Sequence, residues 1–587
     1  MIIMKRINKL YKKLVFAIVF ISGIFFTSCT DYLTIIPPSV VVHEDFWKNE
    51  AEVNGMAATA YLTLSNSNAL RNAIFWGETR AETVDYPAGS SNDHQKYITE
   101  GLLYDDNGYA SWTEYYSAIN YCNLVLEYGP LVMEQDPNFS EGDMQVLEGQ
   151  MKALRAYAHF VLLRAFCNIP LATKAVINDA EIPEYRQAHP MEALKVIYAD
   201  LEDASTKVLL SGVNTGQNLG YVTTNAVYAL MADVNMWQAA FAKYYVEIDG
   251  TYTPEHTADE YYDMAVENCQ KVLDSMDEIH KEFYFNKNEK SYAYNLLQNT
   301  GEVEDREKGY SSVYETIFGG KNSRESIFEF QIDDSNYSKG GNGIAAAYGA
   351  GGNNGGMYVV QENWLSEIYE DDDLRQYAFT TKYVPNPDGS SSDTGTNAPV
   401  ETFVAKYTAK STATSYGASA TRTYRANDSY DANWIVYRKT DIMLMKAEAL
   451  LSRSVASEDE IKEAFNMTEA INKRWRMDTT DIDNELKYND YVEQRKCLEL
   501  VRDERVRELC FEGRRWYDIV RMALQGEDTS FSYKKKRHGV DDEEMLRRYN
   551  HISAYFMPIA KNEIRFNPLL EQNKSCKSSD NSEIEQN

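Results

Sequence analysis

Residues 144–165 read MQVLEGQMKALRAYAHFVLLRA, and the spacing of their apolar side chains decides the conformation. Leu147, Met151, Leu154, Ala158, Val161 and Ala165 follow one another at alternating steps of four and three, which puts them on one face of a helix. A half-buried strand would need every second residue apolar, and this run does not alternate. Ala153, Ala156 and Ala158 are small and let a second helix approach closely. Pro170 closes the segment, because proline disfavours helical conformation at the residue before it.

The same construction recurs downstream. Within 191–209 the face is Leu194, Ile197, Leu201, Ala204 and Val208, and within 223–244 it is Val227, Leu230, Val234, Trp237 and Phe241. Further faces lie in 261–273, 441–451 and 461–475. Paired antiparallel helices packed side by side are what tetratricopeptide-like repeats look like once their consensus has decayed, and an unrelated helical bundle would bury the same faces. The expected fold class is mainly α, with helical hairpins as scaffold and a loop-rich, irregular half holding a few short strands.

The loops are long. Residues 85–109 (DYPAGSSNDHQKYITEGLLYDDNGY) and 335–356 (SNYSKGGNGIAAAYGAGGNNGG) show no period. A third irregular stretch, 385–427, contains strand-like runs such as 401–407. Long loops without secondary structure inside a domain are usually functional or disordered. Residues 571–587 are polar and read as a mobile tail.

At the other end, Lys5, Arg6, Lys9, Lys12 and Lys13 precede an uncharged apolar run from Leu14 to Phe26. That run is too short to span a bilayer, for which about 20 residues are needed, so it reads as a cleaved secretory signal. Thr27 and Ser28 then lead into Cys29, which resembles a bacterial lipobox, with Phe26 where an aliphatic residue is usual. On that reading residues 1–28 are removed and Cys29 carries the lipid. An ordinary secretory signal with an incidental cysteine is the other reading. Residues 29–40 are then the lipidated cysteine and a linker, and 41–570 one domain with loop-rich insertions mainly at 85–109 and 280–430.

Removing five cations and no acids takes the formal charge from -30 to -35, so nucleic acid and anionic lipid surfaces are poor partners. The basic run Lys534, Lys535, Lys536, Arg537 reads as a solvated loop. Six cysteines besides Cys29 are widely spaced without a CxxC, which suggests buried free thiols and leaves room for one disulfide. The eight histidines never fall in HxH or HExxH spacing, so no metal site is expected. Asp371, Asp372 and Asp373 lack the spacing of a calcium loop and read as a solvated turn. The glycine-rich stretch lacks the Gly-Lys-Ser/Thr of a phosphate loop, and no Gly-x-Ser-x-Gly elbow occurs. The charge-dense run 499–508 reads as a structural ion-pair network, with Asp503 and Arg507 four apart on one helix face. No catalytic residue and no cofactor is expected.

Tyrosine supplies a flat aromatic face and a hydrogen-bonding tip at low conformational cost, which suits it to ligand contact. The chain has 43 Tyr, several of them in long loops where a core role is not expected. The candidate ligand-binding residues are Tyr86, Asn92, Tyr97, Tyr104 and Tyr109 in the first loop, Tyr292 and Tyr294 before the strand at 325–331, and Tyr348 in the glycine-rich stretch. Trp76, Trp112, Trp364 and Trp516 read as core.

Several ordered motifs carry a resemblance to one family. After Cys29 come Asp31, Tyr32, Leu33, Pro37 and Pro38, then Asp45, Phe46 and Trp47. Arg155, Ala156 and Tyr157 lead to Ile169, Pro170 and Leu171, Arg324 and Glu325 open a strand, and Arg438 precedes Met445, Lys446, Ala447 and Glu448. Near the end stand Glu504, Arg505, Phe511, Glu512, Gly513, Arg514, Arg515 and Trp516, then Phe556, Pro558, Ile559, Asn567 and Pro568. In these motifs the chain resembles the SusD/RagB nutrient-uptake lipoproteins. The resemblance implies four tetratricopeptide-like hairpins and a loop-built ligand face. It also implies a lipid anchor on the outer membrane facing the cell surface, oligosaccharide or polysaccharide as ligand, and a SusC-like TonB-dependent outer-membrane transporter as partner. Oligopeptide or glycopeptide is the alternative cargo.

Overall fold

Ser140 starts the helix expected over 144–165: its hydroxyl accepts from the Asp143 amide at 3.1 Å, satisfying one of the open N–H groups of the first turn. The helix ends at Cys167, whose φ of 67° breaks the spiral before Pro170. Every residue of the expected apolar face is buried, none more than 8% exposed.

The computed structural model describes residues 46–87, 93–177, 185–212, 219–285, 293–299, 311–332, 341–349, 356–381, 384–385, 391–392, 402–410, 424–425, 430–478, 485–534 and 540–577. Its elements all belong to one compact unit, Asn49–Asn587. The principal helices are α1 (Glu50–Leu64), α2 (Ser67–Glu78), α3 (Thr113–Gln135), α4 (Glu141–Phe166), α5 (Pro190–Ser205) and α6 (Thr224–Lys243). They continue as α7 (Ala258–Phe285), α8 (Lys439–Ser452), α9 (Glu458–Arg474), α10 (Gln494–Leu509) and α11 (Arg515–Leu524). From α3 to α10 each helix packs on the next, so the pairs α3/α4, α5/α6, α7/α8 and α9/α10 stack as four hairpins. This is the expected mainly α scaffold. Capping boxes at Asn49 with Glu52 and at Ser457 with Glu460 set the starts of α1 and α9.

The strand expected at 325–331 is β1 (Ser326–Phe330), antiparallel to β2 (Trp434–Arg438), with Trp434 opposite Phe330 and Arg438 opposite Ser326. Both strands are buried at every position, and β2 runs directly into α8. The strand expected at 401–407 is shorter, Phe403–Val404, paired with Thr380–Thr381. The chain turns there because the Lys406 ammonium is drawn inward, to the carbonyls of Glu508 at 2.7 Å and Cys510 at 3.0 Å. Residues 341–348 of the glycine-rich stretch form a helix, and Gly343 allows it onto α2, since a Cβ there would lie 2.3 Å from the Ser67 carbonyl oxygen.

A buried charge cluster joins the irregular half to the scaffold. The Glu508 carboxylate accepts from Arg438 and Arg474 at 2.6 Å each, from Arg375 at 3.3 Å and from the Trp475 indole at 2.7 Å. Arg375 also meets Glu504 at 2.6 Å and Asp373 at 2.7 Å, Arg438 meets Glu512 at 2.7 Å, and Arg474 meets Glu325 at 2.9 Å. Burial pushes the Glu508 carboxyl up, but the surrounding guanidiniums outweigh it and hold the group well below the usual range. Asp373, expected in a solvated turn, is 7% exposed and serves as a counter-ion of this cluster. Arg507, expected to pair with Asp503, turns to Glu504 at 3.1 Å and to the Ile368 carbonyl at 2.8 Å. Trp516 is fully buried and donates to the Tyr555 carbonyl at 3.0 Å.

Residues 571–577, read from the sequence as the start of a mobile tail, are tied down. The Gln572 side chain bonds both backbone groups of Ile559, at 2.8 and 2.7 Å, and Asn573 donates to the Ser553 carbonyl at 2.8 Å. The six cysteines from Cys122 to Cys576 are free, and burial pushes the Cys122 thiol up to about 12. The run at 534–537 lies outside the described residues apart from the backbone of Lys534.

Candidate functional site

Two loops far apart in sequence meet over the end of α2. Val84 and Asp85 pair with Val360 and Val359, the Gln361 amide donates to the Thr83 carbonyl at 3.1 Å, and the Tyr109 hydroxyl donates to Met357 Sδ at 3.1 Å. A ladder of aromatic rings runs outward at this junction. Tyr348 packs on Tyr358 with centroids 6.1 Å apart, Tyr358 lies 6.4 Å from Phe75, and Phe75 stacks on Tyr109 at 4.1 Å and 17°. The inner rungs are buried and Tyr109, the outermost, is half-buried.

The Tyr109 backbone is fixed from both sides. Its carbonyl accepts from the Trp76 indole at 2.8 Å, and its amide donates to the Asn107 side chain at 2.9 Å. The Arg71 guanidinium stands 5.5 Å from the Tyr109 ring centroid, and its buried Nε has no hydrogen-bond partner. Arg71 and Phe75 are four residues apart on α2 and therefore share a face. A half-exposed phenol ring held rigidly beside a planar, permanently charged donor can take an apolar sugar face on one group and hydroxyl oxygens on the other. Sequence reading picked Tyr109 but missed Arg71, Phe75 and Met357. A cation and an aromatic at i and i+4 on the helix before a tyrosine-rich loop was the available signal for the first two.

The other candidates divide. Tyr97 and Tyr104 meet edge to face at 5.0 Å and are half-buried, in the same loop as Tyr109. Tyr86 is 8% exposed, with its hydroxyl 3.4 Å from Glu100 Oε1, and Tyr348 has no exposed surface at all. A ring without surface offers no face to a ligand, so the reading of Tyr348 as a loop platform is corrected: its loop folds into the helix at 341–348 and buries it against Phe511. Tyr294 sits elsewhere, at a left-handed turn (φ 59°) whose segment packs on α7 and α9. Cys29, Asn92 and Tyr292 lie outside the described residues. Trp76, Trp112 and Trp364 are at most 7% exposed, as expected of core residues.

A separate cleft of about 480 Å³ is lined by Tyr244, Tyr245, His189 and the C-terminal segment. Its amides already hold that segment in place: Gln187 accepts from the Glu571 amide at 2.7 Å, and Gln572 and Asn573 are engaged as described. Among the described residues no group of three His, Cys, Asp or Glu is placed to hold a metal ion, and no helix is long and apolar enough to cross a membrane.

A stack of helical hairpins carrying a loop-built aromatic face defines a binding protein. A family model described as the SusD family matches residues 214–575, and one described as starch-binding associating with outer membrane matches residues 31–236. The chain belongs to the SusD family, whose members are carbohydrate-binding proteins and not enzymes. A SusD-like protein P38 of Formosa agariphila is 24% identical over 514 residues, covering 84% of this chain and 88% of its own. Among solved structures, a laminarin-binding SusD-like protein superposes with a TM-score of 0.59 at 20% identity, over 90% of this chain and 99% of its own. A SusD superfamily protein of Bacteroides fragilis NCTC 9343 gives 0.61 at 16% identity, over 91% and 100%.

Proposed function

We propose that this chain captures oligosaccharide at the cell surface through the Tyr109–Arg71 face and delivers it to a TonB-dependent outer-membrane transporter, held at the membrane by a lipid on Cys29. The observation that carries the reading is the rigid pairing of a half-exposed ring with a half-buried guanidinium, the two kinds of group a pyranose requires. Tyr97 and Tyr104, on the same loop, extend the face. Membership of a carbohydrate-binding family and a fold neighbour that binds laminarin support a glycan cargo.

Affinity electrophoresis of the chain from residue 30 onward, in gels containing neutral and acidic polysaccharides, tests this. One polymer is expected to retard the protein, with retardation reduced in Tyr109→Ala and in Arg71→Ala. Retardation unchanged in both variants would refute this face. No retardation by any polymer, with binding to oligopeptides instead, would refute the glycan cargo. Labelling with palmitate, abolished by Cys29→Ser, tests the anchor, and co-purification of a transporter with the lipidated protein tests the partner.

A further inference from the structure

The charged face of α10 divides into two. Glu504 and Glu508 point into the buried cluster and Arg505 to the buried Asp518 at 3.1 Å, whereas Arg495, Glu499, Asp503 and Arg507, each four residues on, form an outer stripe. That stripe is the wall of two clefts. One, of about 520 Å³, is closed by Glu82, Trp364, Arg502, Arg515 and Phe531. The other, of about 230 Å³, is closed by Asp372, Asn472, Arg476 and Tyr491. Glu499, Asp503 and Arg507 line both, so the two form one groove divided by α10.

Hydrogen-bonding capacity in this groove is incompletely used. Trp364 is 7% exposed and its indole N–H has no partner. Arg502, also 7% exposed, has a partnerless Nε, and Arg476, 5% exposed, has a partnerless Nη1 whose nearest carboxylate, Asp372, stands 3.6 Å away. Acceptors are left over as well: Glu82 Oε2 is buried without a donor, and no hydrogen bond or ion pair engages the Asp503 carboxylate among the described residues. Buried polar groups left without a partner are costly, so a native groove that keeps several of them beside an exposed carboxylate is arranged for a ligand.

The chemistry of that ligand follows from the mixture. A carboxylate or phosphate only accepts and an ammonium only donates, whereas a hydroxyl does both. Six carboxylates face four guanidiniums around the larger cleft, which disfavours an anion. The arginines are themselves neutralised: Arg495 bonds Glu527 at 2.7 Å and Glu499 at 2.9 Å, and Arg515 bonds Glu82 through Nε at 2.7 Å. Phe531, 41% exposed at the rim, supplies a flat apolar surface. We propose that this groove is a second saccharide site, for a neutral oligosaccharide, separate from the Tyr109 face with which it shares no lining residue. Two sites of modest affinity on one chain hold a polymer more tightly than either alone.

The test is calorimetric titration of the chain from residue 30 onward with maltohexaose, laminarihexaose, cellohexaose, xylohexaose and mannohexaose, and with hyaluronan hexasaccharide as the acidic comparison. It uses the wild type, the loop-face variant R71A/Y109A, and that variant carrying Trp364→Phe or Asp503→Asn. At least one neutral hexasaccharide is expected to bind R71A/Y109A, weakened at least fivefold by either added substitution, with no binding of the acidic one. Trp364→Phe keeps the ring packing and Asp503 is exposed, so both variants retain the fold. The proposal is overturned by loss of all neutral binding in R71A/Y109A, by residual binding indifferent to Trp364→Phe and Asp503→Asn, by preference for the acidic chain, or by no neutral binding to the wild type. Wild-type affinity kept in R71A/Y109A but lost on Asp503→Asn would instead refute the loop face and leave the groove standing.

Discussion

Gly77 on α2 and Gly513 in the turn after α10 cross so closely that a Cβ on Gly77 would lie 1.8 Å from the Gly513 carbonyl oxygen. Backbone has no rotamer by which to retreat, so Gly77→Ala is expected to cost about 3 kcal/mol or more, the upper end of overpacking. Urea unfolding measures it, and a loss under about 1 kcal/mol would mean that the crossing yields.

Glu508→Gln leaves Arg375, Arg438 and Arg474 buried around a neutral side chain. Breaking a buried ion network by removing one partner costs roughly 3–5 kcal/mol, whereas Asp503→Asn on the outer stripe is expected to fall within about 0.5 kcal/mol of wild type. Equal unfolding midpoints for the two variants would contradict the division of α10 into inner and outer faces.

Acid is expected to undo this cluster and a second buried one, in which Asp518 meets Arg505 at 3.1 Å and Arg521 at 2.8 Å. The Glu508 and Asp518 carboxyls are buried, which pushes them up, yet neighbouring guanidiniums hold both well below the usual range. Their stabilisation is therefore complete above the unfolded carboxylate range of about 4 and is lost as pH falls through the depressed folded values. Thermal unfolding between pH 3 and pH 6 should show a steep fall at the acid end, and a flat profile would argue against the network.

Glu78 behaves in the opposite sense. Burial lifts its carboxyl to about 7, only partly offset by its bonds with Thr83 at 2.7 Å and the Phe511 amide at 2.9 Å. A raised folded pKa gives stability that is full below the ordinary value and lost as pH rises through the folded one. Glu78→Gln, which keeps an acceptor for Phe511, should match wild type near pH 5 and exceed it near pH 8.5, by up to about 3 kcal/mol. A difference independent of pH would show that Glu78 titrates normally.

Tyr348→Phe separates packing from recognition. The Tyr348 hydroxyl is buried without a partner, so its removal should leave glycan retardation unchanged and raise stability by up to about 1 kcal/mol. Reduced retardation would place Tyr348 at the ligand after all.

The helices were legible because their signal is local: the spacing of Leu147, Met151 and Leu154 needs no knowledge of what lies opposite. Glu325 marked the first strand of the buried pair through its motif, but the motif at Arg438 was read as a helix and its strand partner, Trp434–Arg438, was not foreseen. Loop residues were harder because burial is decided by what folds over them. Tyr348 and Tyr109 look alike in sequence, yet one is sealed beneath the helix at 341–348 and the other ends the aromatic ladder. Arg71 was harder to single out because it sits on a helix, where a charged side chain ordinarily marks a solvated face. The run 499–508 was rightly read as structural on its inner side, but no linear pattern shows that its outer side borders two clefts. Lys406 broke a strand pattern because an ammonium was required at Glu508 and Cys510, residues over a hundred positions away.

The ties at the C-terminus bear on how the molecule is made. The Lys577 amide donates to the Leu103 carbonyl and the Lys561 amide to the Asp105 carbonyl, each at 2.7 Å, so the loop carrying Tyr104 and Tyr109 is anchored by backbone far downstream of it. Scaffold hairpins such as α3/α4 can close as soon as they emerge, but this loop must wait for a partner more than 450 residues later in the chain. A molecule clipped before Lys561 would keep its hairpins and lack both ties, so the loop around Tyr104 and Tyr109 is finished only after the scaffold beneath it.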